Sequence, residues 1–205
     1  MIPTNAIEEI NEYSENNIKK SAYYFVNGEK IAYRVWDGNQ ICMEYGIKNE
    51  KMHGLFRTWH DNENLCEESF YIDGKEHGIN KQYDYEGNLI GSYEMHHGTG
   101  VDLWYSAKGI ISEERHLKDG NRHGYERWWN EDNKTIYQEQ HFQNGIEHGI
   151  YRRWNHKNSL CRGFPQYYVN GEKVNKKQYL KACNKDVSLP KFQTIYNQNY
   201  RECTF

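Results

Sequence analysis

Residues 143–154 read QNGIEHGIYRRW. Residues 118–129, KDGNRHGYERWW, and 72–83, IDGKEHGINKQY, follow the same grammar. Asp or Asn precedes a glycine, two further residues lead to a His-Gly step, and an aromatic residue follows five positions later. A recurring histidine suits three roles: a ladder of metal ligands, a row of catalytic bases, or a strand position that accepts imidazole. Which role holds decides whether the sequence encodes an enzyme.

Outward from these phrases the chain is a repeat. The glycines of the His-Gly steps are Gly54, Gly78, Gly124 and Gly149, and Gly100 fits the register with Thr99 in place of the histidine. Further copies anchor at Ile31 upstream and Val174 downstream. Five residues past the anchors stand Trp36, Trp59, Tyr83, Tyr105, Trp129, Trp154 and Tyr179. One residue past stand Ala32, Leu55, Ile79, Val101, Tyr125 and Ile150, and three past stand Arg34, Arg57, Lys81, Leu103, Arg127 and Arg152. Positions one, three and five share a face of a strand, because side chains alternate. That face reads apolar, cationic, aromatic in nearly every copy, and the aromatic, present in all seven, is assigned with the anchor glycines to the structure of the repeat.

A polar turn follows each aromatic, and an aliphatic residue then opens a second strand at Ile41, Leu65, Leu89, Ile111, Ile136 and Leu160. Asn27-Gly28, Asp73-Gly74, Asp119-Gly120, Asn144-Gly145 and Asn170-Gly171 close the units, and such dipeptides favour the type I′ turns of two-residue hairpins. The pattern predicts an all-β fold, an elongated and twisted antiparallel sheet of tandem hairpins with about twelve strands. Short helical caps are expected at the ends. The cap over residues 1–22 has Ile7, Ile10 and Tyr13 at helical spacing. The repeats fill 23–173. Residues 174–205 hold a short helix from about 176 to 184, with Asn175 and Gln178 at capping-box spacing, and an extended tail.

The repeat resembles the MORN repeat, in the variant with G-x-x-x-x-W/Y, a turn, an aliphatic residue and Y-x-N-G. The resemblance covers roughly residues 23–173. It implies a non-catalytic scaffold for protein–protein interaction or structural assembly, as a protein-binding module with an unnamed partner. Antitoxin-like inhibitors of a partner enzyme, peripheral phosphoinositide-binding proteins and proteins of large DNA viruses carry repeats of this look, so a virion component falls within what it implies. Oligomers through a sheet edge or face are compatible with it.

Composition narrows the classes. The 205 residues have a formal net charge of −3, so the whole chain offers no basic field for nucleic acid, and membrane binding is expected to be weak. Apolar runs are too short for a transmembrane helix. The start, MIPTNAIEEINEY, lacks secretory features, which points to an intracellular, cytoplasmic location. Five cysteines are an odd number, and Cys42, Cys66 and Cys161 follow aliphatic residues at one repeat register. Equivalent positions two strands apart lie about 10 Å from each other, too far for a disulfide, so the thiols are expected to be free.

No catalytic, cofactor or metal site is expected. His53, His77, His123 and His148 have no recurring co-ligand. No nucleophile elbow, zincin or phosphate-loop motif occurs, and the carboxylates look scattered without a recurring pair. The cationic stripe is expected to lie over neighbouring rings with its charged heads in water. Two and four residues past the anchors the sequence varies, and the large rings there, Phe56, Trp104, Trp128 and Tyr151, are the candidate partner contacts. A chain of stacked hairpins should be longer than a compact one. Small-angle scattering should therefore give a radius of gyration well above the roughly 17 Å of a globular chain of this length.

Overall fold

The computed structural model describes residues 2–203. The chain divides into two compact units, Met1–Gly98 and Thr99–Phe205. The first holds β1 (Ile7–Tyr13), β2 (Lys19–Val26), β3 (Glu29–Asp37), β4 (Gln40–Lys48), β5 (Lys51–Trp59), β6 (Leu65–Ile72), β7 (Lys75–Glu76), β8 (Gly78–Tyr83) and β9 (Leu89–His96). The second holds β10 (Thr99–Tyr105), β11 (Ile111–Lys118), β12 (Asn121–Trp129), β13 (Ile136–Gln143), β14 (Ile146–Glu147), β15 (Gly149–Arg153), β16 (Gln166–Val169) and β17 (Glu172–Val174), then α1 (Lys176–Cys183) and a 3₁₀ turn at Thr194–Asn197. In each unit consecutive strands pair antiparallel in a meander. The all-β hairpin architecture read from the repeats is the architecture observed.

The turns follow from their sequences. Asn27, Asp73, Asp119, Asn144 and Asn170 have φ of 50–54° and the glycines after them 80–85°, the left-handed pairing that a type I′ turn requires. The 17 described strands exceed the expected dozen partly because β7 and β14 are two-residue pieces. They are cut off where the backbone turns at His77-Gly78 and His148-Gly149. Gly78 has φ of +87°, and a side chain at Gly149 would place its Cβ 2.7 Å from the Cβ of His141.

The N-terminal cap corrects the helical expectation, for residues 7–13 form β1. An isolated helix of two turns is marginal in water, whereas β2 offers backbone partners, and β1 pairs with it from Ile7↔Phe25 to Tyr13↔Lys19. Glu8 then receives Lys19 at 2.8 Å and Tyr24 at 2.5 Å. Burial and this bond to Glu8 push the Tyr24 phenol up to about 12. At the other end α1 has its capping box, Asn175 Oδ1 accepting from Gln178 N–H and Gln178 Oε1 from Asn175 N–H.

The face at positions one, three and five carries a ladder of ion pairs. Arg34, Glu44, Arg57, Glu68 and Lys81 stand opposite one another on β3 to β8. Glu114, Arg127, Glu139 and Arg152 do so on β11 to β15. Arg57 grips Glu68 through Nε and Nη2 at 2.9 and 2.7 Å. The expected stems are there, with Arg34 5.2 Å from the Tyr24 ring and Arg127 4.4 Å from that of Tyr125. The heads do not stand free in water, however. A carboxylate three residues past each of four strand openers holds them, so the carboxylates do recur.

In the second unit the C-terminal segment lies over this face instead of only extending along the surface. Leu189 joins Ile150, Tyr167 and Tyr179 in one buried cluster. Trp154 Nε1 donates to the Asn197 carbonyl at 2.7 Å. Arg201 Nε and Nη2 bind both oxygens of Glu139 at 3.0 Å each, and Glu139 also receives Arg127 at 2.9 Å and Arg152 at 3.1 Å. Burial alone would raise the Glu139 carboxyl, but the bonds from Arg201 and the three guanidinium charges outweigh it and hold the group below its ordinary value. The stability this group contributes is therefore present above about pH 4.5, the unperturbed carboxyl value, and is lost as pH falls through the lower folded value. Arg201→Ala should cost about 3 kcal/mol, the usual scale for breaking a buried pair, and should open residues 186–203 to limited proteolysis. The same variant should unfold at higher pH than the parent in an acid titration followed by circular dichroism.

Candidate functional surface

The histidines at the His-Gly steps point at turns. Asn170 N–H donates to His148 Nδ1 at 3.1 Å, His97 N–H to His77 Nδ1 at 3.3 Å, and Asp73 N–H to His53 Nδ1 at a longer 3.5 Å. Where Thr replaces His, Asp119 N–H donates to Thr99 Oγ1 at 3.0 Å. The carbonyl one residue earlier takes the N–H of the turn glycine, Gly74 to Met52 and Gly145 to Arg122 at 2.8 Å. The pairs Met52-His53, Glu76-His77 and Glu147-His148 thus dock the next hairpin turn through two hydrogen bonds. His123 differs, its Nδ1 facing Asn144 Oδ1 at 3.1 Å. An imidazole whose Nδ1 accepts carries its proton on Nε2 when neutral. Its ligand lone pair is then in use.

Two constellations come nearest to chemistry. The rings of His77, His96 and His97 gather with centroids 4.4–5.2 Å apart. Among the described residues, though, no group of three or more His, Cys, Asp or Glu is arranged to hold a metal. Buried His148 has Nε2 3.1 Å from Ser188 Oγ and 3.4 Å from Asp186 Oδ2. These are the residue types of an acyl-transfer triad in the wrong wiring. Serine and aspartate share Nε2, while Nδ1 accepts Asn170 N–H. The nitrogen facing the serine bears the proton, so it cannot act as that serine's base.

The four candidate contact rings fall in three places. Phe56 belongs to a row of rings on the first unit, 5.8 Å from Tyr71, with Tyr33 between Tyr23 at 4.7 Å and Tyr45 at 5.3 Å. Tyr151 packs edge-on against Phe164 at 5.0 Å. Trp104 and Trp128 come together on the second unit. Glu113 lies opposite both, on the strand between them. Trp104 is 40% exposed, whereas Trp129, on the other face of the strand that carries Trp128, is 4% exposed. Trp128 is half-buried. Asn80, Gln82, Asp102 and Glu126, which also stand at variable positions, are buried.

Beside the tryptophans a groove of about 670 Å³ is lined by Glu113, Arg115, Arg122, Glu126 and Trp128 among others. Arg115 reaches Asp102 at 3.2 Å, Glu113 at 2.5 Å and Glu126 at 3.1 Å. Burial would lower this guanidinium, but the carboxylates outweigh it and raise it. Sequence reasoning missed this cluster, since Arg115 stands on a second strand where cations do not recur.

All five cysteines are free. Cys42 and Cys66 occupy bulges, as Ser112 does, each skipped in the pairing that jumps from Ile41 to Met43, from Leu65 to Glu67 and from Ile111 to Glu113. Ser112 Oγ donates to the Trp104 carbonyl at 3.1 Å and Cys42 Sγ to that of Val35 at 3.6 Å, so thiol and hydroxyl serve one purpose.

No family model and no curated protein matches the chain. A chain from the crystal structure of TarM aligns at 22% identity over 44% of this chain and 20% of its own, with a TM-score of 0.25, a likeness too slight to support an argument. No helix among the described residues is long and apolar enough to cross a membrane.

The docking role of the His and Thr side chains can be checked where the acceptor is smallest. Thr99→Val should lower stability by about 1 kcal/mol, the usual net value of one hydrogen bond, and Thr99→Ser should retain it. Urea unfolding of both variants would measure the difference.

Proposed function

We propose that this chain is a non-catalytic repeat scaffold that binds a protein partner through the face bearing Trp104, Glu113 and Trp128. The observation that carries this reading is the ring of Trp104, left 40% exposed, while Trp129 on the other face is 4% exposed. Tryptophan is enriched at the centres of interfaces. The surrounding groove gives a rim of already paired charges, Arg115 with three carboxylates and Arg122 with Glu126 at 3.0 Å. Resemblance to MORN-type repeats supports the same reading. Binding of anionic lipid is the weaker alternative, because the ladder cations Arg34, Arg57, Arg127 and Arg152 are held by carboxylates and have little free charge to offer a headgroup.

Affinity capture from the native source tests the reading, with Trp128→Ala and Trp129→Ala as neighbouring controls. Trp128→Ala should leave the melting temperature nearly unchanged and lose the captured protein. Trp129→Ala should cost about 3–5 kcal/mol of stability, the scale for truncating a packed tryptophan. Retention of every captured protein by a Trp104→Ala, Trp128→Ala double variant would sink the proposal.

A further inference from the structure

We infer that the ladder face of β5 to β8 is a second docking surface, for an extended arginine-bearing segment of a partner protein, and that the chain's own C-terminal segment displays the chemistry of that ligand. This surface is separate from the tryptophan row, and the inference stands without it.

The two units carry the same ladder in different states of cover. Ile79, Lys81 and Tyr83 stand one, three and five residues past Gly78, as Ile150, Arg152 and Trp154 do past Gly149. Glu68 lies opposite Arg57 and Lys81, as Glu139 lies opposite Arg127 and Arg152. The C-terminal segment covers the second set, and Ile150 is 2% exposed. Ile79 is 61% exposed, with Leu55 at 37% and Phe70 at 38% facing each other beside it. The N-terminal residues Ile2 and Ala6 pack against the cluster of Ala22, Tyr24 and Ala32 at the start of the sheet, and the hollow that Ile2 borders extends to Leu55 and Arg57 but does not include Ile79. One position, with one residue type, is buried in one unit and bare in the other.

The occupant's chemistry follows from the covered copy. Arg201 binds both Glu139 oxygens, and Asn197 offers its carbonyl to Trp154 and its Oδ1 to Arg152 Nε at 3.2 Å. At Glu68 the fork of Arg57 takes Oε2, while Oε1 has Lys81 Nζ at 3.5 Å, a long contact that an incoming guanidinium can supplant. Charge does not distinguish the sites. That holds at the receiving carboxylate: Glu68 has Arg57 and Lys81 opposite it as Glu139 has Arg127 and Arg152, while the extra cation of the first ladder, Arg34, is held by Glu44. The surroundings that admit one arginine therefore recur at the other.

The test uses the full chain and a labelled synthetic peptide, SLPKFQTIYNQNYRE, which copies residues 188–202. Fluorescence anisotropy should show saturable binding. Arg201→Ala in the peptide, or Ile79→Asp in the protein, should weaken it at least tenfold. Leu55→Asp serves as a second protein variant, and Trp128→Ala should leave peptide affinity unchanged. No saturation by about 1 mM peptide, the weak end of measurable affinity, overturns the inference. So does a peptide carrying Arg201→Glu that binds as well as the parent. Binding unaffected by both Ile79→Asp and Leu55→Asp places the peptide on the Thr99–Phe205 unit by exchange with the resident segment, and also overturns it.

Discussion

A carboxylate gripped from both sides by cations on neighbouring strands fixes the register of each sheet. Side-chain alternation alone separates the faces but permits a slip of two residues. The ladder forbids that slip. Moved by two, Glu139 would face Tyr125 or Trp129 instead of Arg127, and a carboxylate 1% exposed would lose its partner in a poorly screened setting. Removing a partner from a buried charge costs several kcal/mol, whereas the intact pair adds little beyond what an apolar pair of the same shape gives. The ladder's contribution is thus specificity of pairing more than net stability.

The ladder acts across the strands, and turn docking acts at their ends. A type I′ turn presents two backbone N–H groups that its own hairpin leaves unused, and unsatisfied donors are costly wherever water is partly excluded. The preceding copy supplies a carbonyl to one and an imidazole or hydroxyl to the other. That requirement answers the question posed by the repeated His-Gly step. At His53, His77 and His148 the histidine is an acceptor placed at the right reach, and the glycine lets the backbone turn there. A threonine can stand in for the histidine because only the acceptor matters.

Much of this was legible in the sequence, and the failures share a cause. Turn dipeptides, strand faces and the α1 capping box depend on residues close in sequence, so period and propensity reveal them. Glu44, Glu68, Glu114 and Glu139 each lie three residues past an aliphatic opener, a recurrence that was present to be seen. Its meaning required knowing that a bulge at Cys42, Cys66 or Ser112 turns the count of three into a position facing the arginine. The N-terminal strand was misread because spacing of Ile7, Ile10 and Tyr13 suits a helix, while the partner that decides the matter, β2, lies outside that window. Of the candidate contact rings, Trp104 and Trp128 met across Glu113, but nothing local could show that Phe164 covers Tyr151 or that Arg201 reaches back to Glu139.

Terminal segments explain which part of the ladder is buried. A hairpin array needs covers because its faces and edges are otherwise open. Here Ile2 and Ala6 pack at the start of one unit, and the segment from Leu189 to Arg201 covers strands of the other. Elsewhere in the first unit the pairs stay half wet, the Arg57 and Glu68 side chains being 30% and 22% exposed. Desolvating a lone charge would oppose any ligand approaching such a strip. Charges that are already neutralised pairwise, and held by the strands in the geometry a ligand meets, lose little on being covered. The arrangement that fixes the register therefore also lowers the cost of covering the face, whether the cover belongs to the same chain or to another.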